Sequence, residues 1–91
     1  MKQFLVEVFV PRSKADALAA AEQRAREAAR RLSENAAEIR YLRATYVPED
    51  ETCFHVFEAP SACAVAEASR LAGLGEGRIV EATTTEKGER R

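Results

Sequence analysis

Residues 38–61 read EIRYLRATYVPEDETCFHVFEAPS, and this stretch decides the architecture of the chain. It holds two runs rich in aromatic and β-branched residues, at 38–47 and 52–58, which are typical of strands. Pro48 presets a turn dihedral between them, and the acids that follow it favour solvent. Strands this close together pair as a hairpin. Alternation in the first run is uneven, which predicts an extra residue or a bulge near Ala44 and Thr45.

Two helices and two more strands flank this hairpin. Residues 3–10 alternate with period two and end at Pro11, as a strand does. An Ala-rich run to about residue 37 has apolar residues at three- and four-residue steps, and Ser13 is its predicted N-cap. Ser61 is the predicted N-cap of a second helix, which Gly73 closes in the left-handed conformation. Residues 78–84 form the last predicted strand.

The resulting order is β-α-β-β-α-β. With right-handed crossovers it gives an α+β, ferredoxin-like fold, a four-stranded antiparallel sheet with two helices on one face. The first and third strands form its central pair. A chain of 91 residues supports one core, so residues 1–85 are predicted to be a single domain. Residues 86–91 form a charged tail that we expect to fray.

Composition narrows the classes of function. The chain is 46% hydrophobic and 32% charged with a net charge of -1, which argues against disorder and against a dedicated nucleic-acid binder. Its apolar runs fall short of the roughly 18–20 residues of a membrane span, and it starts without a secretory signal pattern. Cys53 and Cys63 fit no disulfide framework and no CxxC metal spacing. We therefore expect a cytoplasmic protein with reduced thiols and no nucleic-acid or membrane partner.

The helices cover one face of the sheet, yet both faces of the central strands are apolar. Strand alternation predicts the following residues beneath the helices: Phe4, Val6, Val8, Val10, Phe54 and Val56. It predicts Leu5, Phe9 and Phe57 on the uncovered face, which must then be shielded from water. A second copy packed sheet against sheet would shield it, giving a homodimeric α/β barrel. The alternative is a monomer shielded by Arg40, Arg43 and the tail.

The same alternation places Glu7, Cys53 and His55 together on the uncovered face. Imidazole and thiolate suit nickel, copper or zinc, and a carboxylate can complete the shell, so these three are the predicted metal ligands. The predicted ligand pocket consists of Glu7, Phe9, Cys53, Phe57 and Glu58. Alternatively, His55 is an interface histidine bonded to Glu7. No residue is predicted to be catalytic.

Four segments resemble a known family: FLVE at 4–7, YLRATYVPEDETCFHVFEAPS at 41–61, VAEASRLAGL at 65–74 and RIVE at 78–81. They are similar to short bacterial proteins that include a nickel-responsive, nickel-binding protein of streptomycetes. The resemblance implies a dimeric ferredoxin-like fold and nickel as the metal. Glu7 and Glu58 lie within the similar segments, which implies a role shared with the family.

We therefore expect a homodimer that binds a small ligand or a nickel-type transition metal without catalysis. A second hypothesis is a small dimeric-barrel enzyme, an oxygenase or isomerase acting on an aromatic or polyketide-like substrate. It requires an apolar cavity of roughly 300 Å³ or more with a polar group inside. A third is a purely structural or regulatory dimer with a solid interior.

Overall fold

A computed structural model describes residues 1–35, 37–75 and 77–83. Its strands and helices are β1 (Lys2–Phe9), α1 (Leu18–Glu34), β2 (Arg40–Val47), β3 (Thr52–Ala59), α2 (Ala62–Ala72) and β4 (Arg78–Ala82). This is the predicted order. Glu76 of the predicted link, Thr84 at the predicted end of the last strand, and the tail at 86–91 lie outside the described residues.

The sheet has the strand order β2-β3-β1-β4, and every neighbouring pair is antiparallel. The ferredoxin-like arrangement and its central pair, β1 with β3, are therefore confirmed. The register between β2 and β3 shifts between Tyr41 and Arg43, which makes Leu42 the extra residue of a bulge. The bulge lies two residues before the predicted position.

The local sequence correctly predicts the residues at both ends of α2 but not the residue at which α1 begins. Ser61 Oγ accepts a hydrogen bond from the backbone N–H of Ala64, and Gly73 closes α2 with φ 68°, as predicted. Ser13 caps nothing, because a 3₁₀ segment at Arg12–Ala17 precedes α1. The first helix therefore starts about one turn later than its sequence predicts.

The core lies between the helices and one face of the sheet. Residues 25, 28 and 29 of α1 are buried alanines, which let that helix lie close to the sheet. Val65, Ala68 and Ala72 pack from α2. Leu71 of α2 is 47% exposed, and Ala62 is exposed as well. Within the described ranges, neither helix combines the length and apolarity that a membrane crossing demands.

The predicted face of β3 is wrong. Phe4 pairs with Phe57, Val6 with His55 and Val8 with Cys53, and directly opposite residues share a face. Cys53, His55 and Phe57 therefore lie beneath the helices with the core.

Phe54 and Val56 take the other side, which we call the open face. Val56 pairs there with Leu5, and Phe54 pairs with Glu7. Leu5 and Phe9 are on the open face as predicted. The exchange arises because β3 is apolar on both sides, so its composition does not distinguish them.

Candidate functional site: a buried tyrosine, histidine and cysteine

Three polar side chains lie in a row beneath α1. The Tyr41 hydroxyl is hydrogen-bonded to Nδ1 of His55 at 2.8 Å, and Nε2 of His55 contacts Cys53 Sγ at 3.6 Å. His55 is only 1% exposed and Cys53 is 0% exposed. A neutral imidazole accepts at one nitrogen and donates at the other, so one tautomer satisfies both bonds. We call this group the Tyr41–His55–Cys53 cluster.

The strand register assembles this cluster. Tyr46 is opposite Cys53 and Ala44 is opposite His55 in the hairpin, so these residues share the covered face. The small side chain opposite His55 leaves room beside its ring. Tyr41 reaches the ring from beyond the bulge, and its own ring packs edge-on against Phe57 with the centroids 5.0 Å apart. The aromatic packing thus holds the hydroxyl that orients the imidazole.

Burial keeps the cluster uncharged near neutral pH. It lowers the pKa of His55 below its ordinary 6.5; Glu22 raises that pKa and Arg24 lowers it further. Burial raises the pKa of the Cys53 thiol above 9.0, and the Glu22 carboxylate adds to this. The Tyr41 pKa is raised for the same two reasons. An unmetallated site at pH 7 therefore holds a thiol and a neutral imidazole.

A pocket of about 210 Å³ reaches His55 from one end of the sheet. Its walls come from the end of β1, the start of α1 with the segment before it, and the loop after α2. We call it the β1-end pocket. It is smaller than the roughly 300 Å³ required by the enzyme hypothesis.

The structure separates the predicted site residues. Glu7 is on the open face, opposite Phe54 and Arg78, whereas His55 and Cys53 are beneath the helices. Glu7 therefore neither bonds to His55 nor joins Cys53 around one ion. In the described part of the chain, no three His, Cys, Asp or Glu side chains gather closely enough to hold a metal.

The remaining predicted pocket residues are dispersed as well. Phe57 is fully buried in the core. Glu58 pairs with Arg40 at 3.1 Å across the open face. Phe9, 68% exposed, edges the β1-end pocket. No single pocket contains the predicted set, because its members belong to opposite faces of the sheet.

Cys53 and His55 remain a chemically suitable pair for a transition metal. A thiolate bound at about 2.3 Å and an imidazole nitrogen bound at about 2.0 Å on one tetrahedral ion lie roughly 3.5 Å apart. The observed separation of Sγ and Nε2 is 3.6 Å. The Tyr41 bond at Nδ1 is the second contact that commonly orients a metal-bound histidine. One chain thus supplies two donors of a type suited to a transition metal, and further groups would be needed to complete a coordination shell.

Sequence reasoning missed Tyr41 as part of this site. The length of the turn contained information on the pairing. A turn of four residues, 48–51, puts Val47 opposite Thr52. Tyr46 is then opposite Cys53, and Ala44 is opposite His55. Pairing outward from that turn groups Cys53 and His55 with Tyr46 and Ala44, and Tyr41 joins them only because the bulge at Leu42 shifts the register.

Fold and site together define a ferredoxin-like α+β protein with a buried donor pair between sheet and helices. The family model of nickel responsive SCO4226-like proteins matches residues 4–82, and the chain belongs to this family. The crystal structure of SCO4226 from Streptomyces coelicolor A3(2) superposes with a TM-score of 0.69 at 22% sequence identity. The match covers 91% of this chain and 98% of that one. No curated protein shows a significant match.

Proposed function

We propose that this protein binds a nickel-type transition metal through Cys53 and His55, as a homodimer and without catalysis. The observation that carries the proposal is the 3.6 Å approach of Cys53 Sγ to His55 Nε2, with the ring oriented by Tyr41. Membership of a family named for nickel responsiveness supports nickel as the ion.

The protonation states specify how binding depends on pH. A metal binds the thiolate, so it must displace the proton that the raised pKa of Cys53 retains. His55 is already neutral at pH 7, because its pKa is lowered below 6.5. Glu22, Arg24 and Arg26 of α1 are the charged groups that act on the cluster. We expect about one proton to be released per metal between pH 7 and 8, and the affinity to rise about tenfold per pH unit.

Nickel titration of untagged protein by calorimetry in two buffers of different ionisation enthalpy measures both quantities. Cys53→Ser should lower the affinity at least tenfold and remove the sulfur-to-nickel absorption band. Cys63→Ser is the matched control, because that thiol is exposed, and it should leave both unchanged. Glu7→Gln should also retain binding, since Glu7 is on the other face.

Tyr41→Phe keeps both donors and removes only the orienting hydroxyl, so it should weaken binding by less than Cys53→Ser does. Equal affinity in the wild type and Cys53→Ser would overturn the proposed ligand pair. Loss of nickel in Glu7→Gln with retention in Cys53→Ser would place the metal on the open face instead.

Support for the homodimer comes from the open face. Leu5 pairs there with Val56 and with Val80, and Phe54 adjoins them along β3. Val56 is buried within the single chain, whereas Leu5, Phe54 and Val80 are partly exposed and are the residues that a second copy would cover. The ion pair between Arg40 and Glu58 borders this apolar centre. An apolar centre with a charged border is the usual composition of a subunit interface.

A further inference from the structure

Both charged side chains among the described residues that line the β1-end pocket are cations. Its apolar walls include Val8, Leu18, Ala21 and Leu74. Its polar side chains are Lys14, Arg24 and His55, and none of the described residues that line it is an acid. The whole chain nevertheless holds 15 Asp and Glu against 14 Lys and Arg. Whether the fold neutralises these two cations therefore decides what the pocket can bind.

Neither cation is neutralised by the fold. Arg26 and Arg30 of α1 pair with Glu22, Glu27 and Glu34 along the helix. Arg24 has Ala20 and Ala28 four residues away on either side, and its Nε donates to the carbonyl of Ala72 at 2.8 Å. Within the described ranges, no acid forms an ion pair with Arg24 or Lys14.

The position of Arg24 is held while its charge stays available. The bond to Ala72 ties the guanidinium to the end of α2, beside Gly73 and Leu74 of the pocket wall. Its two terminal NH₂ groups form no hydrogen bond or ion pair with described residues, and guanidinium donors match the geometry of a carboxylate.

We propose that the β1-end pocket binds a small organic carboxylate with an apolar body, such as a single ring or a short chain. The carboxylate would meet Arg24 and Lys14, and the body would lie against Val8, Leu18 and Leu74. The volume of about 210 Å³ is that of about seven waters, which suits a ligand of this size. This site goes beyond the proposed metal pair and does not depend on it.

Benzoate is the probe, and benzyl alcohol is its uncharged counterpart of similar shape. Titration followed by amide chemical shifts should show benzoate binding at Val8, Leu18 and Leu74, at least tenfold tighter than benzyl alcohol and weakened by salt. Lys14→Gln and Arg24→Gln should each weaken benzoate at least threefold. Arg24→Lys keeps the charge without the Nε bond and should weaken it less than Arg24→Gln.

Arg31→Gln is the matched control, because Arg31 is an exposed cation of the same helix outside this pocket. It should leave benzoate affinity unchanged. Leu18→Trp fills the pocket and should abolish the binding of both probes. Cys53→Ser should lower the nickel affinity at least tenfold and leave the benzoate affinity unchanged, which separates this site from the metal pair.

Three results would overturn the proposal: no shift changes at millimolar benzoate, equal affinities for the two probes, or equal losses in Arg31→Gln and Arg24→Gln.

Discussion

Tyr41 shows how one hydroxyl stabilises a buried polar group. The Tyr41 hydroxyl is hydrogen-bonded to Nδ1 of His55. The guanidinium of Arg26 lies 5.1 Å from the centroid of the Tyr41 ring. Among the described residues, no buried side-chain nitrogen or oxygen lacks a hydrogen-bond partner. Removing the hydroxyl would create such an atom at Nδ1.

Tyr41→Phe should therefore destabilise the protein by about 1–3 kcal/mol, the usual cost of a buried polar group without a partner. Tyr46→Phe is the matched control, since it also deletes one hydroxyl, which donates to the carbonyl of Val10 at 2.6 Å in a partly buried position. Solvent can replace that bond, so this variant should lose about 0.5–1.5 kcal/mol. Urea unfolding measures both. A larger loss in Tyr46→Phe would contradict the role given to Tyr41.

The join between β4 and β1 depends on one glycine. A Cβ at Gly77 would lie 2.7 Å from the carbonyl oxygen of Glu7, and 2.9 Å and 3.0 Å from methyl groups of Val6 and Val8. The nearest of these atoms is backbone of the central strand, which cannot move without disturbing its pairing with β3. Gly73 differs, because a Cβ there would meet nothing within 4 Å, but its φ is 68°. One glycine is required by space and the other by backbone conformation.

Alanine and asparagine substitutions at both glycines distinguish these requirements. Gly77→Ala should cost about 1–3 kcal/mol through overpacking, and Gly77→Asn should cost at least as much. Gly73→Ala should cost about 1–2 kcal/mol through left-handed strain, whereas Gly73→Asn should cost less, because Asn tolerates that conformation. Urea unfolding of the four variants provides the comparison. If Asn rescues stability at position 77 as well as at 73, steric crowding at β1 is not the cause.

Across the whole chain, the two faces of the sheet have different roles. The covered face holds the core, the Tyr41–His55–Cys53 cluster and one side of the β1-end pocket. The open face holds the apolar pairs that support the proposed homodimer. Substitutions on the open face should therefore change association without changing nickel or benzoate binding.

Leu5→Glu places a charge at the centre of the open face and should weaken the homodimer at least tenfold. Light scattering at micromolar concentration should then show the wild type at twice 10.0 kDa and the variant shifted towards 10.0 kDa. Leu71→Glu is the matched control, since Leu71 is exposed on α2 and should leave the mass unchanged. A wild type of 10.0 kDa would contradict the homodimer.

Local chemistry was enough to predict the order of elements, the hairpin at residues 38–61 and the cap of α2. The residues that allowed these predictions are Pro48, Ser61 and Gly73. Each affects only its own backbone and its near neighbours, so its structural effect can be predicted from the local sequence. The α+β ferredoxin-like architecture follows from that order with little freedom left. Cys53 and His55 were also recognisable as metal-type donors.

Tertiary packing alone determined which side of β3 faces the helices. Cys53, His55 and Phe57 alternate with Phe54 and Val56, and either set is apolar enough to be buried. Pairing with β1 resolves the choice by matching Val6 to His55 and Val8 to Cys53. A shift of one residue exchanges the two faces of a strand, and periodicity carries no information about that shift. That exchange separates Glu7 from the donor pair and puts Tyr41 in its place.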